Sequence, residues 1–180
     1  MKWLLTLLVI SSLFLSGCSV FSTNDPRNNT QHWQDQKIDM DIAGIAHTRE
    51  YTKQLSIDSV ALNGTVLVVG QATSQPLKQA FINQVRHIPD VDRVYDQIQV
   101  RPLLTIASIS EDAWLTTKVK SQLIASKQLT NVVIKVITEN KRVFLLGYVA
   151  PEQATIATNI ARNVSGVKHV ITLFEKPLTH

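Results

Sequence analysis

Apolar residues fall along this chain in three regimes. From Trp3 to Leu15 they form an almost unbroken run. From Ser19 to about Gln36 they thin out, and Ser, Thr, Asn, Gln and Asp dominate. Beyond that they recur at the spacings of strands and helices. Ile57 to Gly70 aligns without a gap on Ile134 to Gly147, so the chain contains an internal repeat. In each copy two strand-like segments flank a turn. Asn63-Gly64 is a strong hairpin signal, and Glu139-Asn140-Lys141 occupies the matching place.

A helix-like segment follows each hairpin. Pro76 to Ile88 carries Leu77, Ala80, Phe81 and Val85, and Pro151 to Val164 carries Ala154, Ala157, Ile160, Ala161 and Val164. Proline near each start suits the first helical turn. Each repeat then closes with an alternating strand, Val91 to Val100 and Val167 to Phe174. A helix also precedes each hairpin. The second is clear from Glu111 to Ser126, with Leu115, Val119 and Leu123 facing the core and Ser108 and Glu111 spaced as a capping box. The first is weaker: Ile38, Ile42, Ile45 and Ala46, interrupted by Gly44. The fold class is α+β. Each repeat reads α-β-β-α-β, a three-stranded mixed sheet with two helices on one face.

The first apolar run suits the core of an export signal and is too short to span a bilayer. It follows Met1-Lys2 and ends in Leu15-Ser16-Gly17-Cys18, which resembles the bacterial lipobox. Residues 1–17 are read as a signal peptide that is removed. Cys18 is read as the lipidated residue, an N-palmitoyl, S-diacylglycerol cysteine. Two or more chains at roughly 0.8 kcal/mol per buried CH₂ anchor stably. Cys18 is the only cysteine, so no disulfide or Cys-based metal site forms within one chain. Ser19, where an Asp would favour inner-membrane retention, implies delivery to the outer membrane, on its periplasmic face. Residues 18–36 are read as a flexible tether with a typical reach of about 20–25 Å.

The formal net charge of +4 lies in the second half. Ser19 to Ala107 holds eight Lys/Arg against nine Asp/Glu, whereas Ser108 to His180 holds nine against five. A basic second half points to an acidic partner, and export disfavours nucleic acid.

The tandem unit, the strand ends at Gly70 and Gly147, and the closing Gly166-Val167-Lys168-His169-Val170 resemble the BON domain of bacterial envelope proteins. The strongest local match runs from Asp112 to Leu123. In the first repeat Pro89-Asp90-Val91 replaces the Gly-Val pair. The division implied is a first BON domain at 37–101, a connector at 102–110, a second BON domain at 111–176 and a tail at 177–180. The resemblance implies an outer-membrane lipoprotein whose second domain binds anionic phospholipid, notably phosphatidylglycerol, through its first long helix with Trp114 at the centre. It also implies roles in envelope integrity and at division sites.

Trp114 sits about 100° from Leu115, beside Lys118 and Ser121. Indole favours membrane interfaces, and Lys118, Lys120 and Lys127 would attract phosphate. The alternative is that Trp114 packs against the neighbouring domain and the lysines are a solvated face. Gly70 and Gly147 are read as backbone-geometry residues, at a bulge or a close helix–strand contact. Gly166 is read as ending the second helix of its repeat. Glu111-Asp112 reads as charge at a helix N-terminus. Five histidines show no metal-ligand spacing, and no phosphate loop, nucleophile elbow or zinc motif stands out. No enzyme, metal or cofactor is expected. The alternative function is a periplasmic chaperone or adaptor for outer-membrane assembly proteins, with Trp114 in a protein interface.

Overall fold

The computed structural model describes residues 29–176. Cys18, the signal segment and the 177–180 tail lie outside the described residues. The described chain runs α1 (Asn29–Ala46), β1 (Leu55–Leu62), β2 (Thr65–Ala72), α2 (Gln75–Arg86), β3 (Arg93–Val100), α3 (Ile106–Ala125), β4 (Ile134–Glu139), β5 (Arg142–Tyr148), α4 (Pro151–Arg162) and β6 (His169–Glu175). This is the α-β-β-α-β unit twice over.

Each sheet has its second strand at the centre, in the orders β1-β2-β3 and β4-β5-β6. The hairpin partners are antiparallel and the closing strand is parallel to the centre. A parallel neighbour needs a crossover, which α2 and α4 supply. Both hairpins turn through two residues of positive φ. Asn63 and Gly64 lie at 48° and 74°, and Asn140 and Lys141 at 52° and 61°. Paired positive φ values match strand twist.

The central strands are buried along almost their whole length. Alternate residues go to different cores. Val66 and Val68 pack with Ile38, Ile42, Phe81 and Val85 under the helices of the first domain. Leu67 and Val69 face the other way and meet Ile137, Phe144 and Leu146 of the second. Val143 and Leu145 then pack beneath α3 and α4 with Leu115, Val119 and Ala157. Each sheet therefore carries its helices on one face and the other sheet on its second face.

Two helix starts and one expected interruption differ from the sequence expectation. Helix α1 takes in Asn29 to Gln36, inside the stretch read as tether. That stretch is polar, yet Asp35 is buried and Ile38 and Ile42 anchor the next turns. Tertiary packing, not local composition, sets its start. Gly44 does not break the helix. A Cβ there would meet nothing within 4 Å, so its cost is propensity alone. Helix α3 begins at Ile106, five residues before Glu111, because Thr105 is its cap and accepts from Ser108 N at 3.3 Å. Ser108 is thus inside the helix, and Glu111 forms an ion pair with Lys141 at 2.7 Å instead of a capping box. The connector shortens accordingly.

Candidate functional site

Helix α3 is apolar on two sides. Asp112, Leu115, Val119 and Leu123 are buried against the second sheet. On the outward side Ile106 is 84% exposed, Ile109 47%, Trp114 62% and Ile124 49%. At 100° per residue these four fall within an arc of roughly 140°, and Ile106 to Ile124 spans about 27 Å. Ser110, Ala113, Thr117, Lys120 and Ser121 fall within the arc between them and are exposed too. The result is an outward row of four large apolar side chains among small or polar residues and Lys120, with one indole near its middle.

Of the residues singled out from sequence, Trp114, Lys118, Lys120 and Ser121 stand together on this helix, and exposed Lys127 follows in the turn beyond it. Trp114 stays largely exposed. Lys118 Nζ lies 6.0 Å from the centroid of its ring and donates to Ser165 O at 2.9 Å. The ammonium thus holds the indole and also ties α3 to the turn after α4. Lys120 is exposed but near Asp58 of β1. Burial raises the Asp58 pKa, and the Lys120 charge only partly offsets that.

Ile106, Ile109 and Ile124 were not singled out from sequence. Their signal was present, since they recur with Trp114 at helical spacing, but the first two fell in the stretch read as connector.

The three glycines sit at close approaches. A Cβ on Gly70, where φ is +136°, would lie 2.0 Å from Ser56 O, and one on Gly147 would lie 2.6 Å from Val133 O. Ser56 lies on β1 and Val133 immediately precedes β4, so neither neighbour is a helix. Gly166, at φ +103°, lies in the turn beyond α4, whose C-cap is Asn163. A Cβ there would meet Leu115 Cδ2 at 2.8 Å, so this glycine seats α3.

Asp112 is not a free N-terminal charge. It accepts from Asn140 N at 2.6 Å and Lys141 N at 2.8 Å, satisfying both donors of the β4–β5 turn. That locks α3 onto the hairpin. A separate polar cleft of about 260 Å³ lies in the first domain, walled by Asp35, Asp90, Asp92 and the Asn63-Gly64 turn. Among the described residues no group of three His, Cys, Asp or Glu side chains could hold a metal ion, and no helix is long and apolar enough to cross a membrane.

The model of the BON domain family matches residues 34–102 and 111–175. The outer membrane lipoprotein DolP of Haemophilus influenzae is 32% identical over 182 aligned residues, covering 95% of this chain and 94% of that protein. A 21 kDa hemolysin of Actinobacillus pleuropneumoniae is 34% identical over 148 residues, covering 82% of this chain and 76% of that one. Among solved structures, the C-terminal domain of CdsD, a structural protein of the Chlamydia trachomatis type III secretion system, covers 77% of this chain and 97% of its own, with a TM-score of 0.32 and 13% identity.

Proposed function

This chain belongs to the BON domain family, with two copies in tandem, and from that premise we propose that it is a non-enzymatic outer-membrane lipoprotein that binds anionic phospholipid from the periplasmic side through α3. Anchoring at Cys18 follows from the lipobox-like segment and from the similarity to a protein named as an outer membrane lipoprotein. The lipid contact is supported above all by the outward stripe of Ile106, Ile109, Trp114 and Ile124.

A helix with one face held in a core and large apolar side chains among polar ones on the other lies flat at an interface. Its side chains enter the headgroup boundary by about 5–10 Å, and Trp settles there with its N–H wet. Lys120 and Lys127 add attraction of about 1 kcal/mol each at an anionic surface. Lys118 contributes less to phosphate, since its ammonium already serves Ser165 O. A weak contact suffices once a lipid anchor raises the local concentration. Collection of the protein at division sites, and support of envelope integrity, would follow where anionic lipid is enriched.

The test is sedimentation of the mature protein, without acyl chains, on vesicles with and without phosphatidylglycerol. Binding is expected only with the anionic lipid. Trp114→Ala should weaken it five- to thirty-fold, corresponding to about 1–2 kcal/mol of interfacial burial. Equal binding to neutral vesicles, or indifference to Trp114→Ala, overturns the reading.

The adaptor reading has one observation in its favour. Trp33 and Met40, on α1 of the first domain, are 70% and 68% exposed. They stand two turns apart on one side of that helix, and the lipid reading does not use them. A photocrosslinker at Trp33 that captures one outer-membrane assembly protein in intact envelopes would support it.

A further inference from the structure

The contact between the sheets is apolar at its centre and polar at both ends: Thr65, Arg93 and Tyr95 meet Tyr148 and Glu175 at one, and a buried pair closes the other. There Glu139, the last residue of β4, is buried and accepts from Gln71 Nε2 of the first domain. Gln71 is itself 1% exposed, and its Oε1 accepts from Leu104 N at 3.1 Å. One amide thus joins the second domain, the first domain and the connector. Leu104 stands immediately before Thr105, the cap of α3.

Glu139 also has a competing partner. Arg142 pairs with it in register across the β4–β5 hairpin. Arg142 Nε and Nη2 are buried and hold no hydrogen bond among the described residues. The guanidinium rests over the Phe144 ring at 5.2 Å. A buried cationic fork without acceptors is costly.

We infer that Glu139 is a proton-operated latch between the two domains. Its neutral carboxyl tolerates burial beside Gln71 at the domain contact, where burial opposes the ionised form. Its ionised carboxylate turns to Arg142 in its own hairpin and loosens that contact, freeing the start of α3.

The charges around it fix the sign. Burial is the largest influence and disfavours the ionised form. Asp112 on α3 acts the same way, and Arg142 on β5, Arg101 on the connector and the Gln71 amide oppose both. The balance raises the carboxyl from 4.5 to about 7 in the closed arrangement. An acid raised by closure favours closure when protonated. The stabilisation is therefore complete below about pH 4.5, declines as pH rises, and is gone above about 7. The inference stands whether or not α3 meets lipid, because the latch is internal.

The test is hydrogen exchange of the Leu104 amide in the full mature chain, without vesicles, from about pH 5 to 8.5 and corrected for intrinsic rates. Protection should fall by up to tenfold per pH unit below 7 and level off above it, as expected for one linked proton. Glu139→Gln, permanently neutral and isosteric, should hold protection constant. Arg142→Gln removes the competing partner and should move the level-off point to higher pH. Asp39, the other strongly raised carboxyl, serves as control, and Asp39→Asn should leave the Leu104 profile unchanged. A flat wild-type profile overturns the latch. So does a slope that survives in Glu139→Gln, or an Arg142→Gln profile identical to wild type.

Discussion

Asp112 shows how one side chain holds a strained turn. The first hairpin turns through Asn63-Gly64, where glycine accepts positive φ at little cost. The second must turn through Asn140-Lys141, and lysine at φ 61° is strained. Two charge-assisted bonds from the turn to Asp112 offset that strain. Asp112→Ala should therefore destabilise the second domain by about 2–3 kcal/mol, measured by urea unfolding. Lys141→Gly in the same background should recover part of the loss. A cost near zero for Asp112→Ala would show that the turn holds itself. The sequence marks the turn and the acid separately, but nothing in their spacing says that they meet. The same is true of Gly70 and Gly147. A glycine that ends an apolar strand signals close approach, yet only the register identifies Ser56 O and Val133 O as the atoms approached.

At the scale of elements, strands were more legible than helix ends. The apolar runs on either side of the Asn63-Gly64 turn locate β1 and β2 directly, and the repeat carries that reading to β4 and β5. Helix starts depend on which of several capping side chains the tertiary structure adopts. Ser108 and Glu111 have the spacing of a capping box, but Thr105 does the capping one turn earlier. That difference matters because the added turn carries Ile106 and Ile109, the most N-terminal part of the outward stripe. Thr105→Ala should fray this turn at a cost of about 1 kcal/mol. It should also weaken binding to phosphatidylglycerol vesicles while leaving the second-domain core intact. The pair Ile106→Ser and Ile109→Ser should weaken binding further, with the far-UV circular dichroism spectrum unchanged. If neither alters vesicle binding, the stripe is not the contact.

At the scale of the molecule, the strand Thr65-Val66-Leu67-Val68-Val69 already carries the information that both of its faces are covered, because apolar residues do not alternate with polar ones there. One face is explained by the helices of the same repeat. The sequence leaves the cover on the other face open, since a run of apolar residues names no partner. The structure supplies it: Leu67 and Val69 of one sheet lie against Phe144 and Leu146 of the other. Two repeats that could have been beads on a string instead share a third core. Phe144→Ala and Leu145→Ala separate its contribution. They are neighbours on β5, both fully buried, but Leu145 packs within its own domain and Phe144 into the shared core. Each truncation should cost about 3–5 kcal/mol. Leu145→Ala should lower the midpoint of one cooperative transition. Phe144→Ala weakens the core that couples the domains, and the rim contacts of Glu175 with Arg93 and Tyr95 are partly exposed and too weak to make up the loss. Its thermal unfolding should therefore split into two transitions, with a calorimetric enthalpy that exceeds the van't Hoff value. A single two-state transition in Phe144→Ala would mean that the polar knot at Glu139 and Gln71, not the shared apolar core, joins the domains.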